Sequence, residues 1–287
     1  MILVTGATGN IGRELTRELD AEGATLRLLV RDPARAARLP ERAERVVGDL
    51  GDPATLAPAF DGVDQLFLLT QGIGTDYTAA AVTAAEAAGV HHIVHLSSFH
   101  VTFDPIPAMG RWHHEREKII RASGIAATFL RPGGFMTNAL GWLPTIREGN
   151  YVLDPVGPGR YAPIDPADIA AVAALALTEA GHQDKEYVLT GDEMFTVTEQ
   201  VRIISETIAR DIEVRETATP AEAVRFRFPN GAPQALADAI TEGITLMRAD
   251  TVGLRTDTVE RLLGRRPRTF ADWCARHAEA FRQPETV

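Results

Sequence analysis

Three glycines at positions 6, 9 and 12, in the opening stretch MILVTGATGNIGREL, have a type and spacing that could do chemistry. They stand between a short apolar strand and a helix. Gly6 permits a tight turn, Gly9 lets backbone approach a bulky anion, and Gly12 lets the new helix pack on the strand. Backbone N–H groups at a helix start, aided by the helix dipole, make a site for a pyrophosphate. Thr8, Asn10 and Ile11 belong to the same cradle. A three-glycine spacing carries weight only with a strand before it and a helix after it, and both are present here. The turn is therefore expected to hold a dinucleotide.

The next apolar run, TLRLLVRDPARAARL, indicates which dinucleotide. An acid at the end of this strand would accept from the ribose 2′-OH of NAD(H). Arg31 stands there instead, with Arg35 one turn on. Guanidinium groups suit a 2′-phosphate through charge-assisted, bidentate pairing, so NADP(H) is the expected cofactor. Asp32 is expected to cap the following turn, with Pro33 at its first position. After the third strand, Asp49 and Leu50 either edge the adenine or, for Asp49, simply make a turn.

Other candidates fall where later strands end, the edge at which open α/β sheets bind ligands. Thr70 and Gln71 are expected beside the nicotinamide ribose. Ser97 and Ser98 either hydrogen-bond a substrate oxygen or cap the strand end, and Phe99 and His100 line the pocket behind them. In Arg131-Pro132-Gly133-Gly134-Phe135, the backbone at Pro132 and Gly133 is expected near the nicotinamide carboxamide, with Phe135 walling the substrate side. Met136, Asn138 and Trp142 are further pocket candidates. His113 and Glu117 are four apart and share a helix face. His91, His92 and His95 span a loop and a strand and point to opposite faces, so no metal is expected. Gly-x-Ser-x-Gly is absent, which removes the usual hydrolase elbow.

The elements that must position these residues follow from the hydrophobic pattern. Strands are expected at Ile2–Thr5, Thr25–Val30, Arg45–Val47, Gln65–Leu69, His92–Ser97, Ala126–Arg131 and Glu186–Leu189. Helical patterns at Ile11–Glu22, Pro53–Phe60, Asp76–Ala88, Arg111–Ala122 and Pro166–Glu179 alternate with them. Such alternation reads as βαβ units around a parallel sheet, and the nearly all-apolar strands suit a sheet covered on both faces. The expected fold is α/β, a Rossmann-type doubly wound parallel sheet with a smaller, mostly helical C-terminal substrate lobe. Residues 1–132 form the NADP-binding domain, with strands and a helix added from 151–190. Residues 133–150 and 191–287 form the lobe, with helices at Thr196–Arg210, Pro220–Phe228, Ala232–Ala249, Thr258–Leu263 and Thr269–Arg282.

The bulk numbers narrow the function classes. The chain has 287 residues, 45% hydrophobic and 24% charged, with a formal net charge of −10. That length buries a large core, and that charge is a poor match for a phosphodiester backbone, so no nucleic-acid partner is expected. The lone cysteine, Cys274, precludes an intramolecular disulfide and reads as a buried thiol in a packed helix. No apolar run approaches membrane-spanning length and nothing before Ile2 resembles a signal peptide, so a cytoplasmic location is expected. The expected partner is a small-molecule substrate, and a homodimer is compatible with the sequence.

VTGATGNIG, LLVRDPARAARL, VVGDL, HLSS, RPGGF and APIDPADIA together resemble the NmrA-like branch of the atypical short-chain dehydrogenase/reductases. That branch includes quinone- and triphenylmethane-reductase-type enzymes. The resemblance covers nearly the whole chain. It implies an NADPH-dependent oxidoreductase passing hydride to a carbonyl, quinone or imine group of a small aromatic or apolar molecule. Because the family also holds non-catalytic NADP(H)-binding redox sensors, a sensor is the alternative.

Short-chain dehydrogenases generally carry Tyr-x-x-x-Lys on the helix after the fifth strand. The corresponding stretch here, PAMGRWHHEREKIIRASGIAATFLRPGGF, contains no tyrosine. Aligned back from Ser123-Gly124-Ile125, the lysine position falls on His113 and the tyrosine position on Met109. His113 and Glu117 look like the His-x-x-x-Glu arrangement of quinone- and dye-reducing relatives. That likeness implies that His113 donates a hydrogen bond to the cofactor ribose or the substrate oxygen while Glu117 orients its ring. The other reading is a helix-surface pair without chemistry. Either way the missing tyrosine favours an acceptor that needs little acid assistance, such as a quinone, a cationic dye or a protonated imine.

Overall fold

The computed structural model describes residues 1–217, 219–251 and 253–282. The chain divides into two compact units. The first takes in Met1–Ile106, Gly110–Pro132 and Pro166–Leu189, and the second Pro107–Met109, Gly133–Asp165 and Thr190–Val287.

In the first unit, strands β1 (Ile2–Val4), β2 (Leu26–Val30), β3 (Glu44–Val47), β4 (Gln65–Leu68), β5 (His92–Leu96), β6 (Ala126–Pro132) and β8 (Glu186–Leu189) form one sheet. Its order is β3-β2-β1-β4-β5-β6-β8, and every pairing is parallel. All seven expected strands are in it. The chain runs outward from β1 in one direction to β3, then returns to place β4 on the other side of β1. This reversal opens a crevice at the carboxyl ends of β1 and β4, where open α/β sheets bind ligands. β1 and β2 are buried along their whole length, as a sheet covered on both faces requires.

Helices α1 (Asn10–Ala21), α2 (Leu56–Phe60), α3 (Asp76–Ala88), α4 (Ala108–Ala122) and α6 (Pro166–Thr178) connect these strands, and α1 packs on α6. α6 is built from Ala, Val, Leu and Ile and is buried on nearly every side. A separate core gathers Leu3, Phe60, Leu66, Leu68, Ile93, Ile120 and Phe129 beneath α2, α3 and α4.

The second unit contains α5 (Leu143–Gly149), β7 (Tyr151–Asp154), α7 (Val197–Ile208), β9 (Glu213–Glu216), α8 (Pro220–Arg227), α9 (Gln234–Arg248), α10 (Thr258–Leu263) and α11 (Phe270–Arg282). β7 and β9 make a two-stranded parallel sheet. Neither strand is conspicuous in the sequence, because each has four residues and EVRE presents mostly exposed side chains. α7 begins in a capping box: Glu199 N–H donates to Thr196 Oγ1 at 3.1 Å, and Thr196 N–H donates to Glu199 Oε2 at 2.8 Å. α11 packs on α7 around Phe270, Trp273 and Phe281. Cys274 is buried there, its thiol pushed up to about 12 by desolvation, so it is an inert core residue. Among the described residues no helix is long and apolar enough to cross a membrane.

Candidate cofactor and active site

The glycine turn is built from backbone. Gly6 has φ +66°, a conformation that favours glycine, and its carbonyl accepts from Gly9 N–H at 2.9 Å. A Cβ on Gly12 would lie 2.2 Å from Gly6 O and 2.7 Å from Ala7 Cα, so no larger residue fits. The helix that follows, α1, has no side-chain cap and no acid in its first turn. Its free N–H groups and positive dipole end are thus left for an anion. Beside the turn, Thr5 ties β1 to β4: its Oγ1 donates toward Leu69 O at 3.1 Å and accepts from Leu69 N–H at 2.8 Å. Thr8 is half-buried and Asn10 exposed, while Ile11 packs inward.

At the end of β2, Arg31 and Arg35 are exposed and enter no ion pair among the described residues. Asp32 accepts from Ala34 N–H at 2.9 Å and caps the turn Pro33–Ala36, with Pro33 at its first position, as expected. Its carboxylate is thereby occupied. The register of Val30 with Val47 brings Gly48 and Asp49 to the same edge. Asp49 accepts from Gly51 N–H at 2.9 Å, so it makes a turn, and Leu50 packs against the core. Thr70 is buried, with Thr78 Oγ1 3.5 Å from its hydroxyl, and Gln71 is exposed.

The ends of β5 and β6 meet α4 in a buried polar network. Glu117, 2% exposed, receives Ser97 Oγ at 2.6 Å and Arg131 Nε at 3.0 Å on Oε1, and Arg131 Nη2 at 2.6 Å on Oε2. Arg131 also pairs with Glu186, which pairs with Arg121. Burial opposes the Arg131 charge, but its hydrogen bonds and charge pairing with Glu117, then Glu186, hold its ionisation above the ordinary value. Both Glu117 oxygens are engaged here, so Glu117 does not orient the His113 ring. The likeness to a His-x-x-x-Glu pair fails on this point, because Arg131 and Ser97 compete for the same carboxylate and win by bidentate geometry.

His113 is half-buried, and its Nδ1 is sealed from solvent with no hydrogen-bond partner among the described residues. Desolvation, then the charges of His95 and Arg116, push its pKa down to about 3. His95, wholly buried at the end of β5, is also held at about 3, chiefly by desolvation; its Nδ1 lies 3.1 Å from Leu68 O. Since a carbonyl only accepts, His95 Nδ1 carries the proton. Both rings are neutral at pH 7. Ser98 caps the turn Phe99–Thr102, with its Oγ 2.9 Å from His100 Nδ1, and Phe99 and His100 stack edge-on at 4.4 Å.

Residues 6–180 match the model of a family described as NAD(P)H-binding. The chain belongs to that family. The cradle fits the cofactor of the NAD(P)H-binding family on the chain's own features: the excluded Cβ at Gly12, the acid-free start of α1, and the guanidiniums of Arg31 and Arg35, which enter no ion pair among the described residues. The chain is 38% identical over 285 residues to an NAD(P)H azoreductase of Xenophilus azovorans, covering 98% of this chain and 99% of that one. Its fold matches the crystal structure of the NADPH-dependent quinone oxidoreductase of Escherichia coli complexed with NADPH. That match has a TM-score of 0.83 and 30% identity, over 96% of this chain and 99% of the other. The Citrobacter sp. triphenylmethane reductase complexed with NADP(H) matches with a TM-score of 0.81 and 25% identity, over 97% and 100% of the chains.

In this NAD(P)H-binding chain Pro132 closes β6 in the first unit, and Gly133 belongs to the second. Within the second unit, Phe135 bridges to Ile164, and a Cβ on Gly134 would lie 3.2 Å from the Tyr161 ring. Met136 is in that unit's core, with Trp142 packed against it, and Asn138 N–H donates to Phe135 O at 3.0 Å. Sequence reasoning weighed His95 only as a metal ligand and overlooked Arg116. His95 sits in an apolar strand where a histidine needs a partner, which is a usable signal. Arg116 looks like one more charge in HHEREK, and only its position on the helix reveals that it is buried.

Proposed function

We propose that the protein is an NADPH-dependent reductase acting on a quinone, azo or cationic dye, or related conjugated acceptor in a small aromatic molecule. The observation that carries this reading is the anion-ready start of α1 beside Arg31 and Arg35, in a chain similar along its whole length to reductases of such molecules. When bound, NADPH supplies the hydride, and the protein supplies binding, orientation and electrostatics.

In this reading Gly6, Thr8, Gly9, Asn10, Ile11 and Gly12 hold the diphosphate. Arg31 and Arg35 hold the 2′-phosphate, and Leu50 edges the adenine, with Asp49 shaping the turn beside it. Thr70, Gln71, Pro132 and Gly133 flank the nicotinamide end. His113 stays neutral and acts by hydrogen bonding, not as an imidazolium acid. Glu117, fixed by Arg131 and Ser97, anchors α4 and so positions His113. An acceptor whose reduced form is a stabilised anion suits such a site, because it takes its proton from solvent. Ser98, Phe99 and His100, at the carboxyl end of β5, are the substrate-side candidates of the first unit. A cytoplasmic location and a homodimer complete the proposal, the latter checked by light scattering.

The test is turnover of NADPH with quinones, azo dyes, triphenylmethane dyes and simple ketones, with deuteride used to establish transfer from one face. Stereospecific consumption with the conjugated acceptors and little with ketones is expected. No turnover with any acceptor, together with tight binding that discriminates NADPH from NADP+, would replace the reductase with a redox sensor.

A further inference from the structure

Two guanidiniums serve the neighbourhood of α4, Arg131 partly buried and Arg116 buried, and among the described residues only Arg131 has an acid. Arg131 has Glu117. Arg116, 3% exposed, pairs with no carboxylate among the described residues. Instead its Nε donates to Gly74 O at 2.9 Å and its Nη2 to Gly72 O at 2.5 Å. A buried charge without a counterion is costly, and it is retained where its hydrogen bonds hold something in place.

What Arg116 holds is the segment that leaves β4. Gly72 and Gly74 have φ +80° and +96°, and a Cβ on either would meet nothing within 4 Å. The glycines are therefore required by backbone conformation, not by crowding. Ile73 between them is exposed, so no apolar packing anchors the turn. Upstream, Leu69 is held to the end of β1 by Thr5 Oγ1. The segment is thus tied at one end to the glycine-turn strand and at the other to α4, the helix that carries His113. Thr70 and Gln71 lie between the two ties.

We propose that Arg116 is a positioning residue that holds the 70–74 segment in the shape needed to flank the cofactor. The consequence for binding rests on the NADPH reading above; the clamp itself does not. A lysine has three N–H donors on one nitrogen but lacks the rigid fork that reaches Gly74 O and Gly72 O from separate nitrogens, so it replaces Arg116 only in part.

The experiment compares wild type, Arg116→Lys and Arg116→Gln by NADPH fluorescence titration, steady-state kinetics and amide hydrogen exchange. In Arg116→Gln the NADPH Kd and KM are expected to rise about tenfold, the worth of one charge-assisted hydrogen bond. The change in kcat at saturating NADPH should be smaller. Faster exchange should be confined to residues 71–75, and Arg116→Lys should fall between the two. If Arg116→Gln does not fold, Arg116→Lys is read by the same criteria, with a Kd rise of about threefold. Wild-type affinity in a folded variant, or weakened affinity with unchanged exchange at 71–75, overturns the clamp. Failure of wild type to bind NADPH would sink the functional reading instead, while the exchange comparison would still judge the clamp.

Discussion

The glycine turn before α1 and the polar cluster on α4 belong to the same compact unit, yet they are made of different material. The turn is backbone: a positive φ at Gly6, a carbonyl against which Gly12 has no room for a Cβ, and free N–H groups. The cluster is side chain: Glu117 with Ser97 and Arg131, Arg116 on two carbonyls, and two neutral histidines. A backbone site depends on a few adjacent residues and tolerates almost no change in them. A side-chain site depends on partners far apart in the chain and degrades one interaction at a time.

The largest expected effect lies in the cluster. Glu117→Leu removes both carboxylate oxygens from Arg131 and leaves a partly buried guanidinium with only Glu186, so stability should fall by about 3 kcal/mol. Urea denaturation measures this, and a loss of under about 1 kcal/mol would mean that the pair behaves as an exposed one. Gly12→Ala comes next. A methyl 2.2 Å from a carbonyl oxygen must displace α1, costing about 1–3 kcal/mol and abolishing measurable NADPH binding by calorimetry. Retained binding would break the contrast, because the turn would then be as tolerant as the cluster.

Arg31→Ala tests the edge of the backbone site. It should weaken NADPH about tenfold while leaving NADH unaffected, since the lost contact reaches only the 2′-phosphate. Equal losses for both coenzymes would place Arg31 elsewhere.

The smallest effect per step is a pH dependence. His92, His95 and His113 are held at about 4, about 3 and about 3, in each case chiefly by desolvation. Between about pH 6.5 and pH 4, the unfolded chain binds protons there that the folded chain does not. Stability therefore falls as pH falls through this window, by about 1.4 kcal/mol per pH unit for each fully buried histidine. His95→Gln should flatten that slope in a stability–pH series. The same neutrality means that His113 should add no inflection to kcat between pH 5.5 and 8, roughly the range where an unperturbed histidine would titrate.

The seven sheet strands were legible because each is a short apolar run with a turn signal after it. The glycine turn and the Asp32 cap were legible because their parts are adjacent in sequence. The two-stranded sheet of β7 and β9 was not, since each strand has only four residues and the charged side chains of β9 are exposed, which leaves little periodic signal. Pairing Glu117 with His113 failed for a related reason. Helical spacing puts them on one face, but Arg131 and Ser97 approach from strands 14 and 20 residues away and take the carboxylate. Arg116 stayed hidden because its partners are carbonyls, which no residue type announces.

The most direct test of the central claim is calorimetric titration of the wild-type protein with NADPH and with NADH. NADPH is expected to bind at least about tenfold more tightly, through Arg31, Arg35 and the open start of α1. No heat with either coenzyme, or tighter binding of NADH, would contradict it.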